Sequence, residues 1–327
     1  MTIGGIEMAE KRLGVVVSAP DSPAVLTSIA DLEQRGIPAA WLTSAGAGGA
    51  DPLGVFVGAA LRTQHIQLGT AITQTFPRHP IAVVQQVLVL AQLAPGRFRL
   101  GLGTSGRAGM EQTYGVNFRA PLGHLQEYLR IVKALLHTGS VDVAGRYYQA
   151  RTRIAAPIDV PVMAAALGPK AYELCGAEAD GAISWVCPGS YLRDVALPAL
   201  HRGAASVGRP APPLIAHAPV CVHDRAEEVR AAVRQQFGGF ARAPFYQNMF
   251  RAAGFPEVSQ ETWSDAMIDA VALWGDEARV AEGIAGLFAL GATEILVSPV
   301  PAGDDRAASL ERTLRLLPQV AQVGRQA

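Results

Sequence analysis

The chain has 327 residues, of which 50% are apolar and only 17% charged, enough apolar surface to bury a large core. Its 28 basic and 28 acidic side chains cancel, which argues against a nucleic-acid surface or a polybasic membrane patch. Three cysteines, Cys175, Cys187 and Cys221, are too few and too spread for a disulfide framework or a zinc knuckle, and an odd count suits a reducing cytoplasm.

No run reaches the roughly 18 uninterrupted apolar residues of a membrane span. Leu13–Val17 is too short for the apolar core of a secretion signal and reads as a buried strand, so a soluble, cytoplasmic protein is expected. That first strand runs over Leu13–Ser18. Ser22–Gly36 follows with Val25, Leu26, Ile29 and Leu32 at helical spacing, closed by Gly36. Ala39–Thr43 is the second strand, and Asp51 and Pro52 open the next helix as N-cap and first-turn proline. Ile66–Ile72 is the third strand and Pro80–Leu93 its helix, stopped by Pro95 and Gly96. Arg97–Leu102 leads into a glycine-rich loop and the helix Leu122–His137. Val160–Ala164 and Gly181–Val186 flank the helix Gly168–Ala179. Leu214–Val222 and Glu294–Val297 complete the strands, with Asp305–Leu317 as the last helix.

Eight such pairs favour a closed (β/α)8 TIM barrel over an open sheet, built as one domain over 1–327. Two segments fall outside the pattern, at about 138–159 and 240–274. The second, rich in aromatic, Gly and Pro residues, reads as a helical insertion at the C-terminal mouth.

Active sites of such barrels sit at the C-terminal strand ends. There, Gly101-Leu102-Gly103-Thr104-Ser105-Gly106 matches G-x-G-x-x-G. A dinucleotide fingerprint needs a helix at once and an acidic residue about 20 residues on. The loop is expected instead to run through Arg107, Gly109 and Tyr114, its glycines admitting a flat ligand close to backbone. Arg107 stands where a nucleophile elbow around Ser105 requires glycine, which disfavours a hydrolase. His217 and His223 do not pair at a metal-binding spacing, and no metal site is expected. Ala164–Lys170 ends a strand, turns at Gly168 and starts a helix with Pro169 near its first position. Its free amides and helix dipole make a phosphate site, with Lys170 as an added cation; a solvated surface lysine is the alternative. Thr70, Thr73, Gln74 and Thr75 place hydrogen-bonding groups at the end of the third strand.

In chain order, the pieces Leu68–Thr73, Arg78-His79-Pro80, Leu93–Gly103, Gly145–Tyr148, Leu167–Lys170, Glu178–Gly181 and Gly291–Glu294 form an ordered set. That set resembles the luciferase-like superfamily, most closely its branch using the deazaflavin coenzyme F420. The resemblance implies a non-prolyl cis peptide at Ala71–Ile72 against the cofactor's central ring, with Thr70 and Gln74 beside it. It puts Gly103, Thr104 and Ser105 at the cofactor's edge. Ala165, Ala166, Leu167, Gly168, Pro169 and Lys170 would serve its tail phosphate, and Trp185 and Val186 would lie near the ring. The reaction implied is hydride transfer between the deazaflavin C5 and a small organic substrate, in a homodimer.

The sequence departs from this pattern after the second strand, where many relatives carry an acidic residue or a histidine. Trp41–Gly49 holds no imidazole or carboxylate, and the next acid is Asp51. Ser44 and Tyr114, or water, are the expected proton donors, with Glu111 and His217 as further candidates near the mouth. Two alternatives remain open. One is an FMN-dependent two-component monooxygenase, which oxygen reactivity separates from the first reading. The other is a non-catalytic flavin-binding barrel. Phe245, Tyr246, Phe250 and Phe255 suggest an apolar or aromatic ligand, or else the insertion's own core.

Overall fold

A computed structural model describes residues 11–44 and 48–326. The first half alternates β1 (Arg12–Val16), α1 (Ser22–Gln34), β2 (Ala39–Leu42), α2 (Pro52–Arg62), β3 (Gln67–Thr70), β4 (Thr73–Gln74) and α3 (Pro80–Leu93). Then come β5 (Phe98–Gly103), α4 (Arg107–Tyr114), α5 (Pro121–Lys133), β6 (Ser140–Ala144), β7 (Gln149–Arg153), β8 (Val162–Ala165) and α6 (Pro169–Glu178). The second half continues with β9 (Ala182–Ile183), α7 (Gly189–Tyr191), α8 (Leu197–Ala205), β10 (Leu214–Val222) and α9 (Ala226–Phe237). It ends with α10 (Pro244–Ala252), α11 (Asp265–Val271), β11 (Leu273–Gly275), α12 (Glu277–Ala289), β12 (Glu294–Pro299) and α13 (Arg306–Gln326).

Eight parallel strands close in the order β1-β2-β3-β5-β8-β9-β10-β12, with β12 returning to β1. β4 resumes β3 beyond Ala71–Ile72 and pairs with the end of β5. Local chemistry sets the helix starts. Asp21 accepts from the Ala24 amide at 2.8 Å, Asp51 from Leu53 at 2.9 Å, and His79 Nδ1 from Ile81 at 3.2 Å. Each of these helices carries proline in its first turn, where no intrahelical N–H bond is lost.

The barrel strands are apolar on both faces, as a helix-covered parallel sheet requires. Leu13, Val15, Ala40, Leu68, Leu100, Val162, Ile295 and Val297 belong to the core between barrel and helices. Val16, Ala39, Trp41, Met163, Ile183, Ile215 and Leu296 form a separate cluster that fills the lumen. At the N-terminal end of that lumen sits a buried ion pair. Arg99 donates from Nη2 to Glu294 Oε1 at 3.0 Å and from Nη1 to Oε2. Trp41 Nε1 donates to the same Oε1 at 3.0 Å, and the guanidinium lies 4.6 Å from the Trp41 ring centroid. Gly69 and Gly14 make room for the indole: a Cβ would come within 2.5 and 2.4 Å of its atoms.

Several expectations need correcting. A helix, α4, starts immediately after the glycine-rich loop where a longer loop was expected. Its polar sequence and internal Gly109 hide any apolar stripe, and Gly115 ends it in the left-handed conformation at φ 63°. The dinucleotide reading fails on topology instead, because β5 passes directly into a closed barrel beside β8. The 138–159 connection is an antiparallel hairpin of β6 and β7, its turn amides at Arg146, Tyr147 and Tyr148 held by the Glu127 carboxylate. The 240–274 insertion is helical, but its last residues enter β11, which pairs with β10 at Val220–Val222. No helix among the described residues is long and apolar enough to cross a membrane.

Removing one partner of the lumen ion pair leaves a buried charge uncompensated, which costs about 3–5 kcal/mol. Glu294→Ala is therefore expected to destabilise the fold by that amount in urea unfolding. The double variant Arg99→Met/Glu294→Leu should recover most of it; equal stability of Glu294→Ala and the parent would remove the pair from the account.

Candidate active site

At the C-terminal face the strand ends open into a cleft of about 1170 Å³. Its floor is built by Thr43 and Ser44 after β2, Ala71 and Ile72 after β3, Ala165 and Ala166 at β8, and Ile183 and Trp185 at β9. One wall comes from Thr104, Ser105 and α4 with Phe118, Leu122 and Leu125 behind it. The other comes from the insertion, through Phe240, Arg242, Phe245, Tyr246 and Asn248.

The Ala71–Ile72 peptide is cis. Ser44 Oγ donates to the Ile72 carbonyl at 2.7 Å, so its proton is already engaged in holding this turn. The continuation of that strand exit through Ala45–Ala47 lies outside the described residues. Thr70 faces away from the cleft: buried between β3 and β5, its hydroxyl donates to Gly101 O at 2.8 Å and accepts the Gly101 amide at 2.9 Å. Gln74 lines the cleft and meets Ser105 Oγ at 3.5 Å and the Tyr114 hydroxyl at 3.4 Å.

Gly103 is not exposed to the cleft, because the Ile72 side chain covers it. A Cβ there would stand 2.8 Å from Ile72 Cγ1 and 3.1 Å from Ala165 Cβ. Thr104 and Ser105 do line the cleft, as do Ala165, Ala166, Leu167 and Gly168. Gly168 is the N-cap of α6 and offers no side chain to its first-turn amides. Pro169 and Lys170 sit exposed on that turn, outside the lining residues. Tyr114 is likewise outside the lining and reaches it only through Gln74. His217 is no mouth residue: it lies under Trp185, its ring stacked on the indole at 3.7 Å. Glu111 lines α4's wall, half-exposed in an ion pair with Arg107 at 2.8 Å, a geometry that solvent screens.

The insertion aromatics divide. Phe245 and Tyr246 reach the cleft, whereas Phe250 packs against Trp263 and Phe255 in the insertion's own core. The cluster behind the α5 wall escaped the sequence reading. There His124, buried outside the lining, stacks in parallel on Phe76 at 3.8 Å, Phe76 on the lining Phe118 at 4.7 Å, and His124 Nε2 lies 2.7 Å from the Tyr148 hydroxyl. The one available signal was His124 and Tyr128 four apart on a helix face, with Tyr147 and Tyr148 nearby in sequence. Burial pushes the His124 pKa down to about 4 and that of His217 down to about 3. The Tyr128 hydroxyl is raised by the same desolvation.

A closed parallel barrel with one large, mainly apolar cleft at its C-terminal mouth is the build of a cofactor-using barrel enzyme. The chain belongs to the luciferase-like monooxygenase family, an oxidoreductase family, which matches residues 1–294. The F420-dependent glucose-6-phosphate dehydrogenase of Nocardia farcinica is 34% identical over 223 residues, 62% of this chain and 66% of that one. The F420-dependent tetrahydromethanopterin reductase of Methanopyrus kandleri shares the fold with a TM-score of 0.77 at 22% identity, over 97% of this chain and 100% of that one. The FMN-bound oxygenating component of 3,6-diketocamphane monooxygenase from Pseudomonas putida shares it too, with a TM-score of 0.70 at 17% identity, over 96% and 98%.

Both buried histidines have folded pKa values below the ordinary 6.5, so folding favours their neutral forms. The stability they contribute is complete above that value and is lost as pH falls toward about 4 for His124 and about 3 for His217. For His124 alone the loss between pH 7 and pH 5 is about 2 kcal/mol. His124→Phe should flatten the acid limb of a stability–pH profile by that amount; an unchanged limb would show that the ring titrates normally.

Proposed function

We propose that the protein is an F420-dependent oxidoreductase that moves a hydride between the deazaflavin C5 and a small organic substrate. The observation that carries this reading is the division of the cleft. Its floor, from Thr43 and Ser44 to Ile183 and Trp185, carries no ionisable side chain, while the ionisable lining groups Arg107, Glu111, Arg242 and Tyr246 stand on the walls. Such a floor suits a group that brings its own redox chemistry and needs from the protein position and a dry surface. F420 rather than FMN is supported by the 34% identity to the F420-dependent Nocardia enzyme.

The donor set fits the cofactor. The uncapped amides of α6 and the nearby Lys170 suit an anionic tail, and Trp185, a lining residue, has a buried indole Nε1 without a partner. When bound, F420 would supply the carbon that gives or takes the hydride. Ala71, Ile72, Ala165 and Trp185 would bear on its ring, with Ser44 fixing the Ile72 carbonyl beneath it. Phe118, Phe240 and Phe245 would keep water from the reacting carbon. Ser44 has its proton bonded to Ile72, and Tyr114 stands behind Gln74, which leaves water or Glu111 on the α4 wall to supply the substrate's proton.

Titration of the purified protein with oxidised F420 and, separately, with FMN tests the reading. Micromolar F420 binding, at least tenfold tighter than FMN, is expected. Lys170→Ala should weaken F420 about two- to fivefold, the scale of a charge at a helix N-terminus. A preference for FMN would move the protein to oxygen-dependent chemistry, and binding of neither would overturn the cofactor reading.

A further inference from the structure

Beneath the cleft, one buried imidazole holds two consecutive residues, Trp185 of the floor and the buried Val186 after it. The edge of His217, on β10, takes the Val186 amide: this N–H donates to Nδ1 at 3.2 Å. A backbone amide can only donate, so Nδ1 is unprotonated and the neutral ring carries its proton on Nε2. Nε2 in turn stands 2.8 Å from Ser298 Oγ on β12 and donates to it. The face of the same ring stacks on the Trp185 indole at 3.7 Å and 15°. Val186 is fully buried at φ 45°, a conformation that a β-branched residue rarely adopts and that its surroundings must impose. Trp185 lines the cleft, and His217 does not.

We propose that His217 is a positioning residue, fixing the Trp185 indole and the Val186 turn in the arrangement that receives the cofactor ring. It acts through both residues and does not touch the ligand. The chain Ser298–His217–Val186 sets the angle of the ring, and the ring sets the plane of the indole. Ser298 thereby ties the cleft surface at β9 to the far side of β10, across two strand junctions. As a positioning role for the cofactor, the inference rests on the reading of the cleft as an F420 site.

Two substitutions separate the edge from the face. His217→Asn places an amide oxygen where Nδ1 stands but removes the stacking surface. His217→Phe keeps the surface and removes the acceptor. Titration of the folded variants with F420 should give dissociation constants raised at least tenfold for His217→Phe and about threefold for His217→Asn. A purely structural role would not move a second readout, the emission of Trp185. His217→Asn should change the emission spectrum and acrylamide quenching, and that change should vanish in a Trp185→Phe background. Wild-type affinity in both variants, or an emission change that persists without Trp185, overturns the inference. If the parent binds neither F420 nor FMN, the cofactor reading fails alone, and the emission pair still decides whether His217 holds Trp185. Should His217→Phe not fold, Ser298→Ala replaces it: a severalfold loss of F420 affinity supports the chain, and parent-like affinity and emission overturn it.

Discussion

The ion pair between Arg99 and Glu294 is the contact around which the barrel is organised. In the closed order of strands, β5 and β12 lie on opposite sides of the lumen, so this pair spans its diameter. Trp41, from β2, joins the same carboxylate and stacks under the same guanidinium. A buried ion pair is a poor source of net stability, because desolvation offsets most of its attraction. What it supplies is register: a strand slipped by one residue would turn Arg99 or Glu294 out of the lumen and strand its partner. Gly103 and Ser298 stand four residues further along the same two strands, about 13 Å at the rise of a strand. Neither residue lines the cleft: Gly103 lies under Ile72, and Ser298 bonds His217 beneath the floor, so the ion pair fixes the alignment of two strands that support the floor from below.

From that base upward, the lumen changes character. Its middle is apolar, with Val16, Met163, Ile183, Ile215 and Leu296 interlocked. Its top returns to polar groups, His217 and Ser298, but pairs them internally. The floor offered to a ligand thus carries no ionisable group, and the His217–Ser298 pair beneath it is satisfied internally, while the buried Trp185 Nε1 and Thr73 Oγ1 are without partners. A ring laid on such a floor meets shape and a few donors, with no competing charge.

How much of this was legible in the chain depends on whether the cause was local. Strands and helices of the barrel were readable because caps such as Asp21 and Asp51 act within three residues, and because doubly covered strands are uniformly apolar. The α4 helix was not, since Arg107–Tyr114 is polar on its exposed side and holds a single buried residue, Met110. The β6–β7 hairpin depends on Glu127, a residue of α5 some 20 positions away, and nothing in 140–153 announces it. The site followed the same rule. Ala71, Ile72 and Ala165–Gly168, expected near a cofactor by resemblance, do line the cleft. Thr70, Gly103, Tyr114 and Lys170 lie outside the lining, because the Gly101 bonds of Thr70, the covering of Gly103 by Ile72 and the outward turn of α6 are tertiary facts.

The missing acid after β2 now has a physical explanation. A hydroxyl at Ser44 is short enough to bond the Ile72 carbonyl at 2.7 Å while leaving the floor uncharged. Ser44 is half-buried at the cleft, and its place in the turn is held by that bond. Charge has moved outward instead, to the Arg107–Glu111 pair on α4 and to Arg242 on the insertion. Both charged groups stand on additions to the barrel, α4 and the insertion, while the apolar part of the first wall, Leu122 and Leu125, belongs to the barrel helix α5. On the proposed function, the floor would receive the cofactor ring, and the walls, which differ from it in charge and aromatic content, would meet the substrate.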